Sequence, residues 1–466
     1  MRRVKNLGLL LLAVVLSLNT GCFRPYTIPE TSSGADTQPT LGTVGTDRPT
    51  RPDSSTGETS GSDGSTADTS NSGSSGTSGS GSGSQSTSTT IGSQITTTTG
   101  GKPTTAPKPT DPVSPPASAE MKGVWISYIE LNAMLKNQSV SSAKAAIDKV
   151  MDNCVSYGLN TVFFHVRANS DAYYKSSIFK PAASVGNLIR SGFDPLAYAV
   201  SSAHSRGLQL HAWVNPYRIG TDLSYRVAGA DYFSKTSGGT TRYYYVPTAA
   251  SAQKLILDGL RELVANYAID GIQYDDYFYP TGLMSSSVES FEQADYEASG
   301  KRLSVADWRR AAVDTLVMGS YNVAHSKSGV VFGISPGHDH TKNYNQMYAD
   351  TAKWLGQKGY VDYLCPQLYF GFEHSSAPFD KMVDQWMSRP RASGVNLYVG
   401  LAIYKAGIAD DTYAGAGRTE WANHNDIMKR SVETLRAKKV PGMIFYSYTF
   451  FESAKQETAN LLPLLK

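Results

Sequence analysis

Residues 192–218 read GFDPLAYAVSSAHSRGLQLHAWVNPYR, which has the pattern of one helix followed by one strand. Asp194-Pro195 supplies an N-cap and a first-turn proline, and Arg206-Gly207 supplies a basic last turn and a terminating glycine. The apolar spacing between these signals predicts a helix over Pro195–Arg206. The aromatic and β-branched run that follows predicts a strand over Leu208–Asn215. This segment is therefore one helix–strand unit of an α/β fold.

The same unit recurs through residues 119–466, about 350 residues of the chain. Alternating strands and helices pair their strands in parallel, and eight such units have the size of a (β/α)8 TIM barrel. An open doubly wound sheet is the alternative, but it carries a glycine-rich loop after its first strand, where residues 126–130 read ISYIE. The predicted strands are Gly123–Tyr128, Thr161–Arg167, Leu208–Asn215, Gly271–Asp275, Val330–Ser335, Val361–Gln367, Leu397–Tyr404 and Met443–Tyr448.

Five longer segments between these strands have helical apolar spacing, and two long insertions lack it. The insertions follow strands three and four, over Ile219–Pro247 and Tyr277–Arg302, and we expect them to be irregular. In a barrel they lie at the carboxyl ends of the strands, where active sites form. The predicted helices are Ala143–Tyr157, Pro195–Arg206, Ala250–Tyr267, Val305–His325 and Asn425–Lys438.

Residues 1–22 have the features of an export signal. Three basic residues precede an apolar run from Leu7 to Leu18 that is short for a membrane span. Gly21-Cys22 resembles a bacterial lipobox, with Asn19 where the preferred leucine would be. We expect Cys22 to be lipidated and the protein to be exported and anchored to the outer face of the cell membrane. An ordinary secreted protein with an incidental cysteine is the alternative.

Residues 23–118 have the composition of a disordered linker. Gly, Ser or Thr fill 32 of the 40 positions from 61 to 100, and none of the 40 is aromatic. Such a segment cannot bury enough apolar area to offset its ordering entropy. A flexible tether of this length reaches roughly 50 Å, far enough to carry a membrane-anchored domain into the cell wall.

Residues 119–466 carry a net charge of +3 and nearly all of the aromatic side chains. This weak charge gives no electrostatic footprint for nucleic acid. Cys154 and Cys365 lie in apolar contexts, where we expect buried thiols rather than a disulfide framework. No CxxC or HExxH motif supports a metal site, and nothing in the chain calls for a cofactor.

The fourth strand, residues 270–280, reads DGIQYDDYFYP and ends in two adjacent carboxylates. Period-two geometry places Gln273 and Asp275 on one face and Asp276 on the other. Like charge and aromatic surroundings are expected to perturb the pKa of Asp275, which suits a catalytic carboxylate. An aspartate that merely caps the next element is the alternative.

Other strand ends carry polar and aromatic side chains that suit sugar hydroxyls and sugar rings. His338-Asp339-His340 follows strand five and has the spacing of a metal-binding pair, although no third ligand is evident. Phe163, Phe164, Trp213 and Phe445 are expected in the core. The residues predicted to bind substrate are Arg167, Asp171, His211, Asn215, Tyr217, Gln367, Tyr369 and Tyr404.

At these motifs the chain closely resembles the glycosyl hydrolase family 10-like lipoproteins of bacterial surfaces. The resemblance covers essentially all of residues 120–466, and it implies a TIM barrel that cleaves or binds wall glycan, such as peptidoglycan strands stripped of stem peptides. It is carried by Lys122–Ile126, Asn160–Tyr174, Gly192–Arg218, Asp270–Pro280, Asp307–Arg310, Phe332–Pro336 and Tyr348–Tyr369.

The fourth-strand motif is also similar to that of α-amylase-type barrels, in which the aspartate is the nucleophile. Those enzymes place a glutamate acid at the end of strand five, where this chain reads Ile334-Ser335-Pro336. The second catalytic carboxylate must therefore come from elsewhere. Glu373 is the first candidate for the general acid, followed by Asp339 and then Asp171, and the separation of the two carboxyl groups would set retention or inversion.

We therefore expect a surface-anchored glycoside hydrolase that acts on peptidoglycan glycan, with Asp275 as the principal carboxylate, acting as nucleophile or base, and Asp276 tuning it or contacting substrate. A non-hydrolytic wall-binding protein on a decayed glycosidase barrel is the second hypothesis. A metal-dependent deacetylase or amidase that uses His338 and His340 is the third. The sequence does not indicate the oligomeric state.

Overall fold

The computed structural model describes residues 120–466. The predicted export signal, the lipidation site Cys22 and the predicted linker lie outside the described residues. No helix within 120–466 is long and apolar enough to cross a membrane.

The described chain alternates strands with helices. The strands are β1 (Met121–Ile126), β2 (Thr161–Arg167), β3 (Asp171–Ala172), β4 (Lys180–Pro181), β5 (Gln209–Val214), β6 (Arg218–Gly220), β7 (Tyr232–Ser237), β8 (Thr240–Tyr245), β9 (Gly271–Tyr274), β10 (Val331–Ile334), β11 (Tyr363–Leu364), β12 (Asn396–Leu397), β13 (Val399–Leu401) and β14 (Gly442–Tyr446). The helices are α1 (Tyr128–Leu135), α2 (Val140–Ser156), α3 (Gly186–Arg190), α4 (Pro195–His204), α5 (Ala250–Asn266), α6 (Gln293–Ala298), α7 (Val305–Ala324), α8 (His340–Gln346), α9 (Thr351–Gly356), α10 (Phe379–Met387), α11 (Glu420–Asn423), α12 (Ile427–Ala437), α13 (Tyr448–Ser453) and α14 (Lys455–Leu465). Four short 3-10 turns cover Leu223–Tyr225, Ser290–Glu292, Ile403–Lys405 and Thr412–Gly417.

The main sheet closes on itself as a barrel. Its strand order is β12-β11-β10-β9-β5-β2-β1-β14-β13, and every neighbouring pair is parallel. The two terminal strands, β12 and β13, are separated only by Tyr398. Together they act as one interrupted strand of the barrel, which pairs with β11 on one side and with β14 on the other. The eight-stranded barrel is therefore confirmed over the open sheet.

All eight predicted strands and all five predicted helices are present, with ends that differ by a few residues. The insertion after strand three differs from expectation, because it contains β6, β7 and β8 as a small antiparallel sheet. Gly238 and Gly239 join β7 to β8, and both have positive φ. Two glycines between β-prone runs form a tight hairpin turn, and this signal was present in the sequence.

The interior of the lower barrel, at the amino ends of the strands, is filled by matching large side chains to glycines. A Cβ on Gly123 would lie 2.6 Å from the Phe163 ring, and one on Gly271 would lie 2.6 Å from His211 Nδ1. A Cβ on Gly333 would overlap the Tyr363 ring. Packing of this kind leaves no room for even one added methyl group.

The residues expected in the core are buried. Phe163 and Trp213 belong to a cluster inside the barrel, whereas Phe164 and Phe445 belong to the larger core between the sheet and the helices. Cys154 and Cys365 are buried free thiols, as predicted. Burial raises the pKa of Cys365, so this thiol stays protonated.

The two ends of the described chain meet at the lower end of the barrel. Glu120 pairs with Arg436 of α12 at 2.7 Å. Lys122 of β1 donates its ammonium to the carbonyl of Leu465 at the end of α14. The first strand and the last helix are thus fastened together on the side opposite the carboxyl ends of the strands.

Candidate active site

Asp275 lies in the mouth of the barrel, at the carboxyl ends of the strands. It directly follows β9, and its side chain is on the inward face with Gln273, as the period-two pattern predicts. Gln273 accepts a 2.6 Å hydrogen bond from Trp125 Nε1. Asp275 itself is only 7% exposed, so its carboxyl group faces the barrel interior rather than bulk solvent.

The carboxyl group of Asp275 is held in a fixed position. Its Oδ1 accepts hydrogen bonds from Gln367 Nε2 at 3.0 Å and from the Asp276 backbone N–H at 2.8 Å. The backbone of Gln367 forms parallel bridges to Gly337 and Gly400 on either side. Three neighbouring strands of the barrel therefore position Oδ1, and the Asp276 side chain is hydrogen-bonded to the same carboxyl group.

Burial raises the pKa of Asp275 well above its ordinary value of 3.8, and the neighbouring charge of Asp276 acts in the same direction. Arg218 opposes both effects. Asp275 and Asp276 therefore act as a pair that holds one proton at a pH where an isolated aspartate has lost it. This is the electrostatic condition for a general acid.

Arg218 is a site residue that sequence reasoning missed. It begins β6, and its guanidinium lies over the Tyr277 ring at 5.0 Å. The charge of Asp275 helps to raise its pKa, and its own charge acts on Asp171 and His165. Its position three residues after predicted strand three was the available signal.

Aromatic rings line the mouth below and beside Asp275. Tyr446 at the end of β14 makes edge contacts with Trp125 at 6.1 Å and Trp213 at 6.4 Å, measured between ring centroids. Tyr369 stacks on Tyr446 at 6.0 Å and meets the edge of Tyr404 at 5.7 Å. The structure thus brings Tyr369 and Tyr404, two residues predicted to bind substrate, to one aromatic wall.

Some buried polar atoms in this mouth have no hydrogen-bond partner within the described chain. His165 accepts the Tyr128 backbone N–H on Nδ1 at 3.3 Å, so its proton belongs on Nε2, on the side of Asn215. Its ring stacks on Trp213 with centroids 3.6 Å apart. Because an unpaired buried donor is costly, such atoms are suited to a bound ligand or water. The unpartnered atoms are Trp213 Nε1 and Ser335 Oγ.

Two residues predicted to bind substrate lie elsewhere. A register shift after His165 pairs Arg167 with Val214, so its side chain lies on the outer face of the sheet. There it donates to the carbonyl of Pro216 at 3.2 Å and covers the Phe179 ring. His211 lies in the lower barrel, where Nδ1 meets the Tyr363 hydroxyl at 3.0 Å.

Three other predicted residues follow the ends of β2 and β5. Asn215 lies at the end of β5 and donates to the carbonyl of Ala168 at 2.9 Å. The ring of Tyr217 is fully buried. Asp171 accepts the Asn169 backbone N–H at 3.2 Å, and burial raises the pKa of Asp171 while Arg218 lowers it.

The two first candidates for the second carboxylate have partners of their own. Glu373 is about half exposed and lies 3.6 Å from His424. Asp339 is the N-cap of α8 and accepts the Lys342 backbone N–H at 3.0 Å. The structure therefore does not bring either carboxylate into the hydrogen-bonded group around Asp275.

The histidines next to Asp339 also have structural surroundings. The ring of His338 meets the edge of Phe370 at 4.7 Å, and His340 Nδ1 lies 2.6 Å from Thr351 Oγ1. Within residues 120–466, no group of three or more His, Cys, Asp or Glu side chains is arranged to hold a metal ion.

A closed parallel barrel with a buried carboxyl pair and aromatic walls at its mouth has the architecture of a glycosidase-type TIM barrel. The model of the family described as glycosyl hydrolase-like 10 matches residues 120–414, and the chain belongs to this family. The resemblance noted from the sequence motifs is thereby confirmed.

Two relatives agree with this assignment, and a solved structure shares the fold. The chain is 33% identical to the glycosyl hydrolase YngK of Bacillus subtilis over 61% of each chain. It is 31% identical to the glycosyl hydrolase DigH of Escherichia coli over 63% of this chain and 76% of that protein. The glycoside hydrolase domain of PgaB (BpsB) from Bordetella bronchiseptica shares the fold, with a TM-score of 0.51 at 14% identity, over 74% of this chain and 99% of that domain.

Proposed function

We propose that this domain hydrolyses glycosidic bonds in bacterial wall glycan, most specifically the glycan strands of peptidoglycan, including strands stripped of stem peptides. The observation that carries the proposal is the buried Asp275–Asp276 pair at a mouth lined by aromatic rings. The names of the relatives, glycosyl hydrolases, support the reaction class. The substrate is inferred from the predicted export and wall-spanning tether.

We assign Asp275 the role of proton donor, in place of the nucleophile or base expected from the sequence, because burial and the charge of Asp276 raise its pKa. Sugar rings would stack on Tyr369, Tyr404 and Tyr446, which present partly exposed faces at the mouth. The proton on the Asp275–Asp276 pair would pass to the glycosidic oxygen as the bond to C1 breaks. Gln367 keeps the donor in place, and Arg218 stabilises the carboxylate left after transfer.

The test is saccharide release from purified sacculi, with and without prior removal of stem peptides. We expect Asp275→Asn to lower the release rate by about 10³-fold. The matched control is Asp258→Asn on the outer helix α5, where the carboxylate pairs with surface Lys254 and Arg261. Glu373→Gln and Asp339→Asn test the two earlier candidates for the second carboxylate. Unchanged release by Asp275→Asn contradicts the assignment.

A wall-binding protein without hydrolytic activity is the second candidate. It is favoured by the end of β10, where Ser335 occupies the position at which an amylase-type barrel has its acid, and the Ser335 hydroxyl has no partner in the described chain. Sedimentation with sacculi that survives Asp275→Asn, together with no saccharide released by wild type, would select this function.

We also propose that Cys22 carries the lipid that anchors the protein to the outer face of the cell membrane. The basis is the apolar run followed by Gly21-Cys22. Cys22→Ser should move the protein from the detergent phase to the aqueous phase in a detergent partition of cells grown with labelled fatty acid, and it should abolish the label. Equal labelling of both forms contradicts the proposal.

A further inference from the structure

The inference concerns the nucleophile, and it rests on the proposed function. A glycosidase that retains configuration needs a nucleophile at C1, and in many families this is a second carboxylate about 5–5.5 Å from the acid. In the described chain, Asp276 is the carboxylate whose charge and side-chain hydrogen bond help burial to raise the pKa of Asp275. As the immediate chain neighbour of Asp275, it lies beside the acid and not across the scissile bond from it.

Other buried carboxylates near the mouth are committed to structural hydrogen bonds. Glu130 accepts from the Ser127 N–H at 2.6 Å, the Ser447 hydroxyl at 2.9 Å and the Thr449 N–H at 2.7 Å. It therefore fastens the start of α1 to the end of β14. A carboxylate with three donors at these distances has little remaining nucleophilic character.

Glu420 is committed in the same way. Its two oxygens accept the backbone N–H groups of Phe372 and Glu373, each at 2.9 Å. Because it thus supports the loop after β11, moving it would release that loop. Its charge lies 3.8 Å from Arg430, on the helix side of the loop.

Asp171 remains as the alternative. The charge of Arg218 lowers the pKa of Asp171 and also that of Asp275. The guanidinium thus lies within electrostatic range of both carboxylates. The experiment below therefore includes this residue.

We propose that the nucleophile is the 2-acetamido group of the substrate's own sugar, and that Asp276 orients this group while Asp275 supplies the proton. The substrate class is then a glycan of 2-acetamido-2-deoxy sugars. An adjacent pair of carboxylates suits this reaction because one member meets the leaving oxygen and the other meets the acetamide N–H of the same sugar ring.

The reaction balances in two steps. First, the Asp275 proton passes to the glycosidic oxygen, the C1–O bond breaks, and the acetamide carbonyl oxygen bonds to C1 while its N–H proton moves to Asp276. The product of this step is a neutral oxazoline. Next, the Asp275 carboxylate takes a proton from water, the water oxygen bonds to C1, the C1–O bond of the oxazoline breaks, and the Asp276 proton returns to nitrogen. One water is consumed, and the configuration at C1 is retained.

The mouth provides surroundings that suit an acetamide. Trp125, Trp213 and Tyr446 form an apolar aromatic corner for its methyl group, with Trp213 and Tyr446 in edge contact. Trp213 Nε1 is a buried donor without a partner in the described chain. The electrostatic influence of Asp275 on Tyr446 places the carboxyl pair beside this corner.

The test uses wild-type enzyme and a series of soluble glycan oligomers in which the acetyl group carries zero, one, two or three fluorine atoms. Fluorine withdraws electrons from the carbonyl oxygen that attacks C1. We expect kcat to fall stepwise, by about 100-fold from acetyl to trifluoroacetyl, while KM changes little. Proton NMR of the first product should show retention, and a thiazoline analogue of the oxazoline should inhibit competitively.

Variants distinguish the roles of the carboxylates. Asp275→Asn with added azide should give a glycosyl azide of retained configuration, because azide then replaces the water of the second step. Asp258→Asn on the outer helix should show the same fluorine dependence as wild type. An azide product of inverted configuration from Asp171→Asn would identify Asp171 as the nucleophile and overturn the proposal.

Failure of the inference and failure of the proposed function give different results. Hydrolysis with inversion, or a kcat indifferent to fluorination, overturns the acetamide nucleophile and leaves the hydrolase intact. No saccharide released from any 2-acetamido glycan by wild-type protein overturns both.

Discussion

The interior of the barrel is filled differently at its two ends. At the lower end, Phe163, His211 and Tyr363 fit against glycines of neighbouring strands, and His211 bonds to the Tyr363 hydroxyl. At the mouth, Trp213 Nε1 and Ser335 Oγ are buried without partners in the described chain. Side chains and glycines fill the lower end without space for a further methyl group. At the mouth, by contrast, some buried polar atoms have no hydrogen-bond partner in the described chain.

The two ends of the barrel therefore contribute differently to the stability of the domain. Dense packing and paired polar groups at the lower end stabilise the closed sheet. The mouth carries a carboxyl pair with a raised pKa, together with unpaired donors, and both features cost stability in the free protein. A substitution should therefore have opposite effects on stability at the two ends, which the following predictions test.

The largest effect on stability is expected at Gly333, where an added methyl group overlaps the Tyr363 ring inside the closed barrel. Gly333→Ala should lower the free energy of unfolding by about 3 kcal/mol, as measured by urea denaturation. The matched control is Gly356→Ala at the end of α9, where the nearest atom to an added Cβ is the Pro390 carbonyl at 3.8 Å. The control should be neutral or slightly stabilising. Equal stability of the two variants contradicts the description of the lower end.

At the mouth, Asp275→Asn should raise stability at neutral pH while it lowers activity by about 10³-fold. Because the pKa of Asp275 is raised in the folded protein, the folded state binds more protons than the unfolded state above pH 3.8. Wild-type stability therefore falls as pH rises through this window and then levels off above the folded pKa. The asparagine variant should lose that fall and gain about 0.5–2 kcal/mol at pH 7, as measured by Tm across a pH series. A lower Tm at pH 7 would show that the pair is not strained.

A smaller effect is expected at Glu457, a buried residue of α14 that contacts α12. Burial raises the pKa of Glu457 to about 7, although its carboxylate accepts the Met428 backbone N–H. Wild-type stability should therefore decrease between about pH 4.5 and pH 7, and Glu457→Gln should reduce this slope without changing saccharide release. A loss of activity in this variant would contradict a purely structural role and would blur the distinction between the mouth and the rest of the domain.

Most of the fold followed from the sequence because hydrophobic period and turn chemistry agree along it. The helix Pro195–His204 begins at the predicted N-cap Asp194, whose side chain accepts from the N–H groups of Leu196 and Ala197. The interruption of the seventh barrel strand at Tyr398, between β12 and β13, was not predictable, because it depends on pairing with β11 and β14 rather than on local propensity. The β7–β8 hairpin was not predicted, although Gly238-Gly239 between two β-prone runs is a turn signal typical of hairpins.

The site was predictable only along single strands. Asp275 and Gln367 were identified because each lies at the end of a strand, and the structure joins them by a 3.0 Å hydrogen bond. The outward direction of Arg167 depends on a register shift that leaves no mark in the period-two pattern. Arg218 reaches the site from a short strand of the insertion, and only the fold brings it near Asp275.

The contacts that join Glu120 and Lys122 to the last helices fix where the described chain begins on the barrel. Residue 120 joins the barrel at the lower end, where Glu120 pairs with Arg436, and the mouth opens at the opposite end. Whatever precedes residue 120 is therefore attached at the pole away from the mouth. Residue 120 and the carboxyl pair of Asp275 and Asp276 therefore lie at opposite ends of the barrel.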